Sequence, residues 1–333
     1  MYDTLYALPE GFLDTAAQDL HQLLPRPALI HLSGRQQPAL FVSILLHGNE
    51  AAGLKAIQTV LRQYAGQSLP RSLVIFCGNV SAARAGLRRL DGQPDYNRIW
   101  PGTEHPACAE TAMAQDIVSQ LQTRGLFASI DIHNNTGLNP HYGCINSLDS
   151  DFLHLAALFS RTVVYFRRPL GVQSMALAQL CPAVTLECGK AGSPEGEAHA
   201  AELITALLNL QRFPDHPPAA QDLDLFHTVG IVKIADDVSF AFADDGSDLC
   251  LDPAIDHLNF CELDAGTRFG RANSVDALPL VINEDGSNVS HDYFAIRDGE
   301  LYLTRPAMPS MLTLDQRVIR QDCLCYLMER YPR

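Results

Sequence analysis

Apolar residues in the first two-thirds of the chain alternate between short runs and segments with three-to-four spacing. Ala39–Leu46 (ALFVSILL), Ser72–Phe76 (SLVIF), Phe127–Ile132 (FASIDI), Thr162–Phe166 (TVVYF) and Ala183–Leu186 (AVTL) are bounded by polar or turn residues. Short, β-branched or apolar runs of this kind read as buried strands. Between them, Asn49–Tyr64 and Ala107–Gln122 gather their apolar positions on one helical face, and Glu195–Phe213 reads as a further helix. Strands alternating with helices predict an α/β fold, a sheet covered by helices.

The pattern changes after Pro214-Asp215-His216-Pro217-Pro218, a stretch that cannot continue a helix. Beyond it, short runs such as Gly230–Ile234, Val238–Phe242 and Leu278–Ile282 are separated by DDGSD, DAGTRFG, NEDGSN and RDGE turns. The expected organisation is a catalytic domain over 1–215 and a smaller β-rich domain over 220–333.

Charge narrows the partners. The 333 residues carry 24 Lys plus Arg against 38 Asp plus Glu, a formal charge of −14. Residues 222–300 hold 17 acids and 4 bases, whereas residues 55–98 hold 7 bases and 2 acids. A nucleic-acid binder needs a broad basic face, which the acidic second half opposes, so no nucleic-acid partner is expected. A local basic cluster in an acidic protein suits a small anionic ligand better. The eight-residue run Ala39–Leu46 is far short of the roughly 20 apolar residues of a membrane helix, and no membrane association is expected. The opening MYDTLYALPEGF lacks a basic region followed by an apolar block. The 9 cysteines have no repeated spacing, which argues for a reducing, cytoplasmic setting rather than a disulfide framework.

Three predicted strands end in conspicuous polar residues: His47-Gly48-Asn49-Glu50, His133-Asn134-Asn135-Thr136, and Glu187-Cys188-Gly189. Ligands of open α/β sheets sit beyond the carboxyl ends of strands, so three such ends suggest one shared site. His47 and Glu50 are three apart across a turn into a helix and can reach one point. A distant His133 completes two imidazoles and a carboxylate, the ligand set of catalytic zinc, which leaves a position open for water. His-x-x-Glu alone is weak. A second copy, His199-Ala-Ala-Glu202, lies within a predicted helix away from any strand end and reads as surface decoration.

With these three motifs, Asp95-Tyr96-Asn97-Arg98-Ile99-Trp100-Pro101-Gly102 makes a fourth in an order that resembles the aspartoacylase and succinylglutamate desuccinylase family, a branch of the zinc carboxypeptidase clan. The likeness runs motif by motif over roughly residues 40–200. It implies a zinc carboxypeptidase-like mixed central sheet flanked by helices, with the β-rich domain behind it. It also implies one zinc ion per chain on His47, Glu50 and His133, and Glu187 as general base and acid toward a metal-activated water. Asn97 and Arg98 match the pair that grips the substrate carboxylate, for which a guanidinium offers a planar fork. A second arginine polarises the scissile carbonyl in relatives. Arg88 and Arg89 are both placed for that, and Arg89 is favoured. Asn134, after the third ligand, and Tyr293, in the C-terminal domain, are further candidate substrate contacts.

One departure bears on substrate choice. Relatives carry another arginine about ten residues before the catalytic glutamate, where this chain has Leu177. A leucine there favours an apolar or neutral acyl group, since an unpaired buried carboxylate would be costly. No Gly-x-Ser-x-Gly elbow or Walker-type loop is present, and a thiol hydrolase on Cys188 or Cys144 would need a partner histidine. The sequence therefore points to a zinc-dependent amidohydrolase cleaving an N-acyl amino acid or similar small carboxylate-bearing substrate. The alternatives are a zinc carboxypeptidase acting on small peptides and a non-catalytic binder on the same fold. A homo-oligomer is left open.

Overall fold

The computed structural model describes residues 2–243 and 245–332. The chain divides into two compact units. The first comprises Met1–Asn134, His141–Tyr165 and Pro169–Asp224, and the second Asn135–Pro140, Phe166–Arg168 and Leu225–Arg333.

The first unit is a mixed sheet flanked by helices. Its strands are β1 (Asp3–Leu5), β2 (Ala28–Leu32), β3 (Gly34–Ile44), β4 (Leu69–Cys77), β5 (Leu126–Asn135), β6 (His141–Ile145), β7 (Thr162–Tyr165) and β8 (Ala183–Lys190). They lie in the order β1-β2-β4-β3-β5-β8-β6-β7. β3 runs parallel to both β4 and β5, while β2 is antiparallel to β4 and β8 to β6. The helices are α1 (Ala52–Gln63), α2 (Val80–Ala85), α3 (Ala109–Arg124), α4 (Ser150–Ala157), α5 (Gln173–Leu177) and α6 (Pro194–Asn209). α1 turns Leu54, Ile57, Val60 and Leu61 inward and packs on α6, which also lies against β4 and β8. Pro194 at the first helical position suits α6, because a missing N–H costs nothing there.

Burial on both faces explains the continuous apolar runs of β3 and β5. β4 starts at Leu69, three residues before its predicted start, although Arg71 is only 1% exposed. The Arg71 guanidinium finds partners inside through its two terminal nitrogens. It donates to the carbonyls of Pro38 and Leu210 and lies 3.7 Å over the Phe127 ring, so a charged side chain fits a buried strand.

The second unit is β-rich. β9 (Asp224–Lys233) pairs antiparallel with β13 (Leu280–Ile282) and β17 (Cys325–Arg330), and β17 with β16 (Met308–Ser310). A five-stranded sheet runs β10 (Phe240–Ala241), β11 (Leu249–Leu251), β12 (Arg268–Ala272), β15 (Glu300–Leu303), β14 (Phe294–Arg297). Val232, Phe269, Phe294, Leu301 and Leu327 are part of its core. Among the described residues no helix is long and apolar enough to cross a membrane.

Candidate active site

The strands that deliver the polar residues are neighbours, β3-β5-β8. β3 ends at Ile44, and Leu45 then takes a positive φ of 55°. This left-handed step, unusual for a leucine, redirects the chain into the turn holding His47 through Glu50. Gly48 is needed in that turn. A Cβ there would lie 2.1 Å from the Ala83 nitrogen on α2, a separation no side chain can accept.

The turn brings His47 Nδ1 to 2.8 Å from Glu50 Oε1. His133, near the end of β5, places its Nδ1 3.1 Å from His47 Nδ1 and 2.7 Å from Glu50 Oε2. All three residues are buried, and one donor atom from each falls within 4.8 Å of the others.

The remaining nitrogen of each imidazole is held by a carboxylate. His47 Nε2 lies 3.0 Å from Asp95 Oδ1, and His133 Nε2 lies 2.8 Å from Asp131 Oδ2. Asp131 is two residues before His133 and so shares its face of β5. It also accepts from the Ser43 hydroxyl at 2.6 Å. A carboxylate on one nitrogen fixes the tautomer that leaves the other lone pair free for a cation. Two imidazoles and a carboxylate, each aimed at one point without a thiolate, fit a zinc ion by the chemistry of the donor set.

Without a cation the cluster is strongly polarised. Burial alone would raise the Glu50 pKa, but His47 and His133 outweigh it and hold that carboxyl far below its ordinary range. Burial works against charge on His133 as well, yet Asp131 and Glu50 together raise its pKa well above 6.5. Asp95, also buried, is pulled well down by Arg88, His47 and Arg98.

Glu187, on β8, behaves in the opposite way. Burial pushes its carboxyl up to about 8, His133 and Arg88 oppose the rise, and Glu50 and Asp131 add to it. Its Oε2 is buried without a hydrogen-bond partner among the described residues. A carboxyl shifted this far beside a ligand cluster is a candidate proton carrier.

The two arginines separate cleanly. Arg88 donates to Asp95 Oδ2 at 2.9 Å, and its Nη1 lies 3.6 Å from Glu50 Oε1. Arg89, the residue favoured from sequence, instead donates to the Gln93 carbonyl at 2.7 Å. The structure brings Arg88 to the cluster and not Arg89. Adjacent residues in an irregular segment point apart, and spacing does not say which one faces inward.

Asn97 Oδ1 accepts from the Gln173 N–H at 2.9 Å, and its Nδ2 lies 3.1 Å from His133 Nε2. Arg98 donates to the Asn97 carbonyl at 2.8 Å. The loop carrying both is anchored by Trp100, which is fully buried, T-shaped on Phe76, and donates to the Tyr96 carbonyl.

Asn134 acts as a staple. Its Oδ1 accepts from the Ala52 N–H at the start of α1, its Nδ2 donates to the Gly189 carbonyl on β8, and its N–H donates to Glu50 Oε2. Tyr293 lies in the second unit, buried with the Arg305 guanidinium 5.0 Å from its ring centre. His141 is paired with His199 at 3.0 Å between Nδ1 atoms. Leu177 is fully buried, so core packing accounts for a leucine there and no acyl preference follows from it. Burial pushes the Cys144 thiol well above its ordinary value, with the Glu187 charge adding, and raises Cys188 likewise, so neither is an activated nucleophile. Sequence reasoning missed Asp95 as the partner of His47, although it opens the Asp-x-Asn-Arg motif.

A family model described as the succinylglutamate desuccinylase/aspartoacylase catalytic domain matches residues 36–213. Succinylglutamate desuccinylases of Burkholderia orbicola and Burkholderia lata are each 35% identical to this chain, over 83 and 78 residues. Those matches cover 24% and 23% of this chain, and the chain spans about a quarter of those relatives' length, 24% and 22%. The crystal structure of succinylglutamate desuccinylase from Chromobacterium violaceum is 19% identical with a TM-score of 0.58, covering 90% of this chain and 86% of that one. Murine aminoacylase 3 is 16% identical with a TM-score of 0.57, covering 89% and 97%. The product-bound ectoine utilization protein EutE (DoeB) from Ruegeria pomeroyi is 16% identical with a TM-score of 0.57, covering 90% and 87%. At such identities the solved structures show a shared fold.

Proposed function

This chain belongs to the succinylglutamate desuccinylase/aspartoacylase family, and we propose that within it the protein is a zinc-dependent amidohydrolase that cleaves the amide bond of N-acyl amino acids. The observation that carries the reading is the convergence of His47, Glu50 and His133 with a carboxylate behind each imidazole. A divalent ion on those three residues supplies Lewis acidity and a water acidified for attack.

The chain's own groups do the rest. Glu187 takes the proton of the attacking water on its unpartnered Oε2 and returns it to the leaving amine nitrogen. A buried carboxyl can do both in turn, taking the proton while ionised and giving it up once protonated. Arg88 faces the oxygen on which charge develops, and its bond to Asp95 keeps it from swinging away. Arg98 offers the fork for the substrate carboxylate. Asn97 adds one amide N–H, since its carbonyl oxygen is committed to Gln173.

The test is mass-spectrometric turnover of a mixed panel by zinc-loaded protein, with Glu187→Gln as the blank. The panel holds acetylated, succinylated and longer-chain N-acyl amino acids beside short peptides. Cleavage of acyl amino acids with peptides spared is the expected result. Release of C-terminal residues from peptides, or no turnover of any member, overturns it.

A further inference from the structure

A cavity of about 260 Å3 lies within the first unit, and Tyr6, His31, Ser72, Leu73, Val74 and Arg124 are among its lining residues. It is not the metal cluster. His31 on β2 pairs with Val74 of β4, which pairs with Phe41 of β3, six residues before His47. At about 3.3 Å per residue, the two places are roughly 20 Å apart along the strands.

His31 is 6% exposed, and neither ring nitrogen has a hydrogen-bond partner among the described residues. Buried polar atoms are nearly always satisfied, so an imidazole left open on a cavity wall points to a ligand. Burial, aided by the charge of Arg124, lowers its pKa to about 4. It is therefore neutral at pH 7 and offers one N–H and one lone pair.

Arg124, exposed at the end of α3, has no counter-ion among the described residues. The Ser72 oxygen accepts from the Gly34 N–H and the Gln37 amide, which leaves its own proton to donate. Leu73 and Val74 supply apolar wall. Tyr6 is 72% exposed and stacks on His31 at 5.4 Å between ring centres. No acidic residue lines the cavity, so nothing there would receive an ammonium group. One guanidinium beside a neutral imidazole matches a single negative charge rather than a phosphate dianion.

We propose that this cavity is a second ligand site that binds a small organic carboxylate without an amino group. The carboxylate lies between Arg124 and the N–H of His31, and a short apolar tail lies against Leu73 and Val74 beneath Tyr6. The proposal is independent of the activity proposed above.

Isothermal titration of isovalerate into the metal-loaded full chain tests it, with isovaleramide as the uncharged isostere. Arg98→Ala removes the proposed carboxylate anchor of the metal site, so binding that survives it and falls in the cavity variants belongs to the new site. Saturable binding is expected in the wild type and in Arg98→Ala. The amide should bind about tenfold more weakly, as loss of a charge-assisted pair implies. Arg124→Gln, an exposed change that leaves the core intact, should weaken isovalerate about tenfold, and His31→Phe should do the same by removing both nitrogens. Binding lost in Arg98→Ala but kept in Arg124→Gln would place the acid at the metal site alone and overturn the proposal. So would the absence of saturable binding, or binding indifferent to both cavity variants.

Discussion

Nε2 of His47 lies 3.0 Å from Oδ1 of Asp95, a residue 48 positions further along the chain. Oδ2 of the same carboxylate is held by Arg88, so the imidazole is oriented by a group that is itself fixed. Asp95→Asn keeps the shape and removes the charge that favours the metal-binding tautomer. Metal affinity should fall about 10- to 100-fold, the usual cost of losing such a partner. Competition with a chromophoric chelator measures this. An unchanged dissociation constant would show that His47 needs no such support.

Arg88 and Arg89 give a paired test. Arg88→Gln should lower kcat by about 100- to 1000-fold, as removal of one oxyanion donor does. Arg89→Gln should leave kcat within about threefold and cost only the bond to the Gln93 carbonyl, about 1 kcal/mol of stability. Steady-state kinetics on the two variants decides it, and the reverse ranking would return the role to Arg89.

Protons and metal compete for His133. With its pKa well above 6.5, the metal-free ring is protonated near neutrality, and an ion can take Nδ1 only when that proton leaves. Zinc affinity should therefore rise as pH rises through neutrality. Calorimetry in buffers of different ionisation heats should find protons released on zinc binding at pH 7, from His133 and from the Glu187 carboxyl. No release would contradict the protonation state inferred for the cluster.

Glu187 has a different signature in the metal-free protein. Below pH 4.5 its carboxyl is protonated in both the folded and the unfolded chain. Between 4.5 and about 8 only the unfolded chain gives up the proton, so stability falls as pH rises, and the loss is complete above the folded value. Wild type should thus lose thermal stability relative to Glu187→Gln across that window, by several degrees. Paired melting curves at pH 5 and 8 report it. A difference that stays constant with pH would mean the carboxylate is not buried as described.

Much of this architecture was legible because its signals are local. β3 and β5 announce themselves through the unbroken runs that two-sided burial requires. His47, Glu50 and His133 each end a strand-length run, with residue types that suit one ion. β6 was missed because His141-Tyr142-Gly143-Cys144-Ile145 contains a glycine and opens on a polar residue, so its strand character comes from its neighbours β7 and β8. β2 pairs with β4 and was likewise passed over. The placement of Asp95 behind His47 and of Arg88 at the cluster depends on how an irregular loop folds over the site, which no periodicity encodes. Asn134 looked like a substrate contact because it adjoins a ligand, whereas its side chain is spent joining α1 to β8.

The dispersal of the cluster along the chain sets an order of events. Nothing shorter than the stretch from His47 to His133 contains both imidazoles and their carboxylates, and closing loops of that length costs entropy before any bond rewards it. A zinc ion at this cluster would therefore not template the chain as it does a small finger. It would be captured last, by a sheet already assembled, and its retention would report that β3, β5 and the loop between α2 and α3 have met. Refolding should proceed at the same rate with zinc or with chelator, and a metal-accelerated rate would show that the cluster nucleates the fold instead.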